Sequence, residues 1–339
     1  MGKTYGESVG NQSCKERISL AKIRYDNIDN VSTDKTLKEF RKWREERRRK
    51  KKDYSYVVPN IPPKLSFLAE NRLDTTITWV GHSTFFLQYE GLNIITDPIW
   101  ARRLGFEKRL TEPGLPIREV PPIDIILISH SHYDHMHIAS IRKLYRAGTT
   151  LIVPVGLKRK MQRKGFQNCI EMNWWETITL GNLKLSFVPT QHWTRRTPFD
   201  TNTSHWGGYI MEPAKSESKL PPHLYFAGDS GYFPGFKEIG QRFKIHVALM
   251  PIGAYEPEWF MTSQHVNPEE AVQAFLDVGA ETMIPMHYGT FRLADDTARE
   301  ALDRMETARE NHGISAERIK TLGYGETLVI HPESRKAEQ

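Results

Sequence analysis

The stretch IDIILISHSHYDHMH, residues 123–137, places four histidines and an aspartate directly after a run of aliphatic residues. A continuous apolar run of this length is typical of a strand that is covered on both faces. The polar residues then stand at the end of a rigid, buried strand. Such a cluster is either a metal site or a histidine-rich surface turn, and the rest of the chain has to decide between them.

The spacing of these polar residues favours a metal site. His130 and His132 are two residues apart, so an extended backbone points both imidazoles to the same side. Asp134 and His135 follow, where the chain turns toward a predicted helix. Because adjacent residues point in different directions, the four side chains divide into two pairs, which suits two metal ions. Imidazole and carboxylate ligands fit Zn(II) first, and also Mn(II) or Fe(II).

Further ligands are needed, because two ligands for each metal ion are too few. His192 ends the predicted strand in LSFVPTQH, Asp229 ends that in LYFAGDSG, and His287 ends that in TMIPMH. Glycines around Asp229 leave room for a close approach. A third ligand for each ion and one carboxylate that bridges them would complete a binuclear site.

The order of predicted elements indicates the fold class. Residues 75–98 predict two strands around the turn YEG, and ETITLGNLKLSFVPTQH predicts another hairpin. NPEEAVQAFLDVGA predicts an amphipathic helix with Asn267 as its N-cap, and residues 295–313 predict a second helix. Runs of strands followed by alternating strands and helices predict an α+β protein, an αββα sandwich with two sheets and outer helices.

The N-terminal part of the chain differs in composition. Residues 1–65 are polar and charged, and they predict a basic extension with one helix over roughly 34–52, before a catalytic domain over 66–339. Residues 41–52, RKWREERRRKKK, carry nine Lys or Arg against two Glu, within a chain of net charge +6. This run is either a solvated helix or a contact for an anionic surface, and Trp43 favours a membrane interface.

Composition restricts the cellular setting. The chain has no apolar run long enough to span a membrane, its N-terminus lacks the apolar region of a signal peptide, and it has two cysteines. We therefore expect a cytoplasmic protein, with peripheral contact to the inner face of the membrane through residues 41–52. Its oligomeric state is left open between a monomer and a homodimer.

HSHYDH, residues 130–135, resembles the HxHxDH signature of the metallo-β-lactamase fold, and His192, Asp229 and His287 follow in the order that this superfamily uses. The resemblance implies two divalent metal ions with separate ligand sets and a bridging Asp229. The first set would be His130, His132 and His192, and the second would be Asp134, His135 and His287.

Longer stretches narrow the resemblance. TWVGHSTFFLQYEGLNIITDPIW, AGDSGYFPGFKEIGQRF and LMPIGAYEPEWFMTSQHVNPEEAVQ look like the N-acylphosphatidylethanolamine-hydrolysing phospholipases D and their bacterial relatives, over roughly residues 60–330. The resemblance implies a binuclear phosphodiesterase that hydrolyses such phospholipids to phosphatidic acid and an N-acylethanolamine, by attack of a metal-bridging hydroxide. Asp134 and Asp229 would be catalytic, and His265 would be a protonated group that assists the leaving oxygen or grips phosphate.

Candidate substrate contacts are less distinctive. We expect Gln264, Tyr255, Trp259 and Arg195 to contact the lipid, although clustered aromatic residues are more often core and a charged loop is as often solvated. His82, in WVGHST, is expected to support the site without binding metal.

Three alternatives remain at this level. A lactonase of the ascorbate-phosphate lactonase type would share much of the strand-end pattern. A nuclease of the same superfamily would explain the basic run, but the chain has no base-stacking motif and no room for the large inserted domain of RNase J relatives, so we do not expect a nucleic-acid partner. A metal-stabilised scaffold that binds membrane is the third, and the full set of seven candidate ligands argues against it.

Overall fold

A computed structural model describes residues 23–215 and 222–330. The strands are Thr75–Gly81 (β1), Thr84–Tyr89 (β2), Leu92–Thr96 (β3), Arg103–Leu104 (β4), Glu107–Lys108 (β5), Ile125–Leu127 (β6), Thr150–Pro154 (β7), Cys169–Met172 (β8), Thr177–Leu180 (β9), Leu183–Val188 (β10), Gly208–Pro213 (β11), Leu224–Phe226 (β12), Val247–Pro251 (β13), Thr282–Met286 (β14) and Thr327–Ile330 (β15). The α-helices are Leu37–Arg49 (α1), Leu65–Glu70 (α2), Ile138–Leu144 (α3), Lys158–Gln162 (α4), Gly235–Arg242 (α5), Glu258–Met261 (α6), Pro268–Asp277 (α7) and Ala298–Asn311 (α8).

Two mixed sheets pack against each other. One has the strand order β15-β1-β2-β3-β6-β7-β8, and the other has the order β14-β13-β12-β11-β10-β9. Side chains alternate between the faces of each strand, so Ile125 and Leu127 of β6 join the core between the sheets. Ile126, between them, packs on the other face with Ile141 of α3 and Met161 of α4. The predicted αββα architecture is confirmed.

The chain between residues 75 and 96 forms three strands, where the sequence predicted two. The predicted turn at YEG joins β2 to β3, but a second reversal separates β1 from β2. Gly81 has φ of +129° and His82 has φ of +55° there, so the backbone takes a conformation that a continuous strand cannot have. This reversal brings His82 to the end of the sheet where the other polar residues lie.

The predicted helix caps agree with the structure. Asn267 caps α7, its side chain accepts from Glu270 N, and Pro268 occupies the first turn. The charged N-terminal helix predicted over 34–52 is α1, which Thr36 caps in the same manner. In the described ranges, no helix combines the length and the apolar character that a membrane crossing requires.

The N-terminal segment packs against the two-sheet domain. The ring of Trp43 stacks on Phe260 with centroids 5.3 Å apart, so this aromatic face is used within the protein. Basic residues of the 41–52 run pair with acidic residues of the domain: Arg47 with Asp295 at 3.4 Å, Lys50 with Glu256 at 2.7 Å and Lys52 with Glu300 at 2.6 Å. Three of the nine basic residues in the run therefore fix the end of α1 and the residues after it, Arg47 and Lys50 on the loops around residues 295 and 256, and Lys52 on α8. Residues 1–22 of the predicted extension lie outside the described ranges.

Candidate metal centre

Four strand ends deliver the predicted ligands to one place. His130 to His135 follow β6, His192 follows β10, Asp229 follows β12 and His287 follows β14. The strands are buried and hydrogen-bonded to their neighbours, so each polar side chain extends from a rigid support. All seven predicted metal ligands lie within this cluster.

Three imidazoles form the first group. His130 Nε2 lies 2.9 Å from His132 Nδ1, and His192 Nε2 lies 3.2 Å from the same atom. His192 Nδ1 donates to the Gln264 carbonyl at 2.9 Å, so the Nε2 of the neutral ring carries a lone pair toward the group. Burial lowers the pKa of His132 to about 3 and that of His192 to about 4, which keeps both rings neutral.

The second group combines carboxylate and imidazole. Asp134 Oδ2 lies 3.2 Å from His135 Nε2 and 3.6 Å from His287 Nε2. Asp229 Oδ2 lies 3.1 Å from His135 Nε2 and 3.2 Å from His287 Nε2. The same oxygen is 3.9 Å from the Nε2 atoms of His130 and His192 in the first group. Asp229 therefore stands between the two groups, in the place that a bridging ligand would take.

Opposite charges within the cluster stabilise the ionised forms of its aspartate and histidine side chains. Burial raises the pKa of the Asp229 carboxyl, but His135 and His287 more than offset this and hold its pKa well below the ordinary value. Burial lowers the pKa of His287, yet the nearby Asp229 and Asp134 raise it to about 9. The cluster thus combines anionic oxygens with closely approaching ring nitrogens, which is a donor set for a divalent cation.

Unpaired buried atoms test whether metal ions fit. Among the described residues, Asp229 Oδ1, His132 Nε2 and His287 Nδ1 are buried without a hydrogen-bond partner. A buried polar atom without a partner costs about 1–3 kcal/mol, and several ring nitrogens that converge repel one another unless a cation lies between them. The residues fit two divalent ions: His130, His132 and His192 would hold one, Asp134, His135 and His287 the other, and Asp229 both.

A buried carboxylate that the sequence did not single out supports both groups. Asp97 Oδ2 accepts from His135 Nδ1 at 2.7 Å and from Ser129 Oγ at 2.5 Å. Ser129 Oγ in turn contacts His130 Nδ1 at 2.9 Å. These contacts fix the orientation of one histidine in each group and leave its Nε2 facing the cluster. The one feature of the sequence that could have identified Asp97 is its position at the end of a predicted strand, in IITDP, as for the other acidic residues at strand ends.

Asp97→Asn should weaken metal binding by about 10- to 100-fold, because the amide no longer provides an anionic acceptor for the His135 N–H. Competition between the metal-loaded protein and a chromophoric chelator measures the affinity. Asp124→Asn, at the opposite end of β6, is a matched control that should leave the affinity unchanged. Equal affinities for both variants would show that Asp97 does not orient the ligands.

His82 contacts two members of the second group, Asp134 and His287. Its Nε2 donates to Asp134 Oδ2 at 2.9 Å, and its ring centroid lies 4.0 Å from that of His287. The ring is buried, and its backbone N–H donates to Thr290 Oγ1 at 2.7 Å. The structure places His82 beside Asp134, His135 and His287, and its supporting role stays a prediction.

A cavity of about 580 Å³ opens over the cluster. Its lining includes Asp134, Asp229 and His287, together with Arg195, Gln264 and His265 from the predicted set, and the apolar side chains of Trp193, Met261 and Leu293. His265 Nδ1 lies 3.9 Å from Asp229 Oδ2. Burial holds the pKa of His265 well below its ordinary value, so a neutral imidazole faces the cavity instead of the protonated group expected from the sequence.

Two predicted substrate contacts lie elsewhere. Tyr255 is 0% exposed and packs beneath Arg304, whose guanidinium lies 4.7 Å from the ring. Trp259 faces α1, where its indole N–H donates to Glu46 at 2.9 Å. The structure does not bring either ring to the cavity, because the loop that carries them turns its other residues, Met261, Gln264 and His265, inward.

Arg196 holds the loop that carries the ligands. Its Nη1 donates to the carbonyls of Ser131 at 2.7 Å and Met136 at 2.9 Å, and its guanidinium stacks over Tyr133 at 4.0 Å. The sequence places Arg195 and Arg196 side by side and does not indicate which of them reaches the cavity. In the structure Arg195 is exposed at the cavity, whereas Arg196 is a support for the HSHYDH loop.

The N-terminal segment also reaches the site. The buried Asn27 Oδ1 accepts from the backbone N–H of His192 at 3.0 Å and from Trp206 Nε1 at 3.1 Å. Asn27→Ala should therefore lower the free energy of unfolding by about 1 to 3 kcal/mol, because the buried backbone N–H of His192 loses its partner, whereas Trp206 Nε1 keeps the Thr190 carbonyl at 3.1 Å. Urea unfolding measures this loss. Asn311→Ala, at an exposed helix end, is the control, and a loss no larger than the control's would contradict the contact.

Comparison with known proteins agrees with this geometry. Residues 92–288 match the family model described as a beta-lactamase superfamily domain. The mitochondrial N-acyl-phosphatidylethanolamine-hydrolyzing phospholipase D of Saccharomyces cerevisiae is 35% identical over 250 residues, which are 70% of this chain and 52% of that protein. N-acyl-phosphatidylethanolamine-hydrolyzing phospholipase D 1 of Caenorhabditis elegans is 31% identical over 266 residues, 71% of this chain and 73% of that protein. The chain thus spans about half the length of the yeast relative.

Solved structures share the fold. That of Igni18, a metallo hydrolase from the archaeon Ignicoccus hospitalis, superposes with a TM-score of 0.58 and 24% sequence identity. The superposition covers 77% of this chain and all of that one.

Proposed function

The chain belongs to the metallo-β-lactamase superfamily of metal-dependent hydrolases, and on that premise we propose that it is a binuclear phosphodiesterase acting on N-acylphosphatidylethanolamine-type phospholipids. The products would be phosphatidic acid and an N-acylethanolamine. The observation that carries the proposal is the position of Asp229, whose Oδ2 lies 3.1–3.9 Å from nitrogen atoms of both ligand groups at the floor of an open cavity.

The substrate class follows from the relatives and from the cavity wall. Two relatives above 30% identity carry the name of N-acyl-phosphatidylethanolamine-hydrolyzing phospholipases D. The cavity joins an exposed cation, Arg195, to the apolar side chains of Met261 and Leu293. A phospholipid needs both, because its phosphate is anionic and its chains are apolar.

Two divalent ions, with Zn(II) as the first candidate, would supply Lewis-acid activation of a water molecule and neutralisation of the non-bridging phosphate oxygens. Asp134 and Asp229 keep the anionic charge that such ions require, since both carboxyl groups have a pKa well below the ordinary value. His265 stands 3.9 Å from Asp229 Oδ2 and can donate a hydrogen bond to the oxygen of the departing N-acylethanolamine. Arg195 would orient the phosphate from the cavity rim.

Contact with an anionic membrane belongs to the same proposal. Arg41, Arg44 and Arg48 of α1 are exposed, and no acidic side chain of the described residues lies within ion-pair distance of them. This face of α1 is the part of the basic run that remains available for lipid headgroups.

Hydrolysis assays on purified, zinc-loaded protein test the proposal. N-acylphosphatidylethanolamine should release an N-acylethanolamine and phosphatidic acid, and a chelator should abolish the release. A lactone offered in parallel should remain closed. Rapid lactone opening without any release of N-acylethanolamine would overturn the phosphodiesterase assignment and favour a lactonase.

A further inference from the structure

A second cavity, of about 770 Å³, lies beside the β4–β5 hairpin. We call it the basic groove, since six cationic side chains line it: Arg102, Arg103, Lys108, Arg109, Arg118 and Lys143. Glu112 is the one acidic residue among its lining residues. The basic groove shares no lining residue with the cavity over the histidine and aspartate cluster. The positive charge of the groove therefore lies outside the proposed substrate site.

Most of this positive charge is not neutralised by the protein. Within residues 23–215 and 222–330, no acidic side chain lies within 4 Å of the charged groups of Arg102, Arg103, Lys108 or Lys143. Arg103 and Lys108 stand directly opposite each other across the two-stranded hairpin. Like charges at opposed positions destabilise a hairpin, and an anion between them would offset that cost.

The wall of the basic groove is held in place before any ligand arrives. Trp100 donates its indole N–H to the Leu115 carbonyl at 2.7 Å. Arg109 donates from Nη1 to the Ile99 carbonyl at 3.1 Å, and its backbone N–H donates to the Arg102 carbonyl at 3.0 Å. A wall fixed in this way loses little conformational entropy when it binds a ligand.

Two polar groups in the wall lack partners. Arg109 Nε and Thr111 Oγ1 are buried and have no hydrogen-bond partner among the described residues. Both residues line the basic groove, so two donor groups without partners lie within its wall. Guanidinium groups match the oxygen geometry of phosphate, and lysines add charge without strict geometry.

We propose that the basic groove is a second binding site, for a ligand with clustered phosphate groups. Such phosphates belong to a soluble polyphosphate compound or to the headgroups of an anionic lipid surface. Phe106, at the tip of the same hairpin, is 98% exposed and stands two residues from Lys108, where it would enter the interfacial region of a membrane.

The double variant Arg103→Gln/Lys108→Gln tests the proposal. Calorimetric titration of the zinc-loaded protein with inorganic tripolyphosphate should show binding at least about tenfold weaker than in the control Lys164→Gln/Lys237→Gln, which removes the same charge from exposed sites outside the groove. Tripolyphosphate bound at the catalytic cavity contributes equally to both proteins. Lys143→Gln, on the separate helix α3, should weaken binding in the same direction. Hydrolysis of a small soluble phosphodiester should be unchanged in all of these variants.

A second variant separates the two sources of phosphate. Phe106→Ser should reduce binding to phosphatidylcholine vesicles that contain phosphatidylglycerol, without changing tripolyphosphate binding, if the ligand is a lipid surface. If vesicle binding is unaffected and tripolyphosphate binding still depends on Arg103 and Lys108, the ligand is soluble. Tripolyphosphate binding that is equal in the groove variant and in the charge-matched control would overturn the proposal, whatever the outcome of the hydrolysis assays.

Discussion

We expect Asp229→Asn to lower kcat/KM for phosphodiester hydrolysis by about 10³-fold or more. The expectation follows from the position of one oxygen, Asp229 Oδ2, which approaches His135 and His287 at 3.1 and 3.2 Å and the first histidine group at 3.9 Å. An amide has nearly the same shape but no negative charge, so the site loses the anionic ligand that both metal ions would share. Bound metal ions stabilise the transition state by several kcal/mol, and each 1.36 kcal/mol corresponds to a tenfold change in rate.

The measurement combines steady-state kinetics with the metal content of the purified variant. Asp303→Asn, on the exposed side of α8, is the matched control and should keep both activity and metal. Retention of at least one-tenth of the parent activity by Asp229→Asn would show that this carboxylate is not the shared ligand.

We expect His265→Gln to lower kcat by about 10²-fold for a substrate with an alkoxide leaving group. The imidazole lines the cavity 3.9 Å from Asp229 Oδ2, and its reaction partner in the proposed chemistry is the oxygen that leaves phosphorus. Loss of this hydrogen-bond donor should matter much less for a nitrophenyl ester, because nitrophenolate leaves without assistance.

The comparison of the two leaving groups is the test. His312→Gln, at the C-terminal end of α8, is the control and should react like the parent with both substrates. If His265→Gln slows the nitrophenyl ester and the alkyl ester equally, His265 contributes to binding or to structure and not to departure of the leaving group.

The sequence predicted the parts of the site that depend on strand ends. A polar residue that directly follows an apolar strand lies at the sheet edge, so His130, His192, Asp229 and His287 could be grouped before their distances were known. The two-residue spacing of His130 and His132 also predicted that both imidazoles point to the same side, and both lie in one group. This spacing is informative because the alternation of side chains along an extended backbone is a local property.

Other features depend on contacts between distant segments and could not be predicted in this way. Asp97 acts through His135 and Ser129, and no local pattern distinguishes it from an ordinary turn aspartate. The loop that carries Tyr255 has the aromatic content of a lipid contact, but packing against α8 encloses that ring.

The N-terminal segment shows the same limit. Its positive charge was visible in the sequence, but the acidic partners lie more than 200 residues away, as in the pairs Arg47–Asp295 and Lys50–Glu256. From composition alone, such a run is predicted to be exposed and without acidic partners in the same protein. The structure instead uses part of it to hold α1 on the loops that border the catalytic cavity.

Hydrolysis of N-acylphosphatidylethanolamine in ¹⁸O-labelled water tests the central claim most directly. Zinc-loaded protein should release an unlabelled N-acylethanolamine and phosphatidic acid that carries one ¹⁸O on phosphorus, since the water oxygen attacks phosphorus and the alkoxide departs. The Asp229→Asn variant should release neither product at a comparable rate. Release of a free fatty acid, or of an N-acylethanolamine that itself carries the label, would contradict attack at phosphorus and with it the proposed phosphodiesterase.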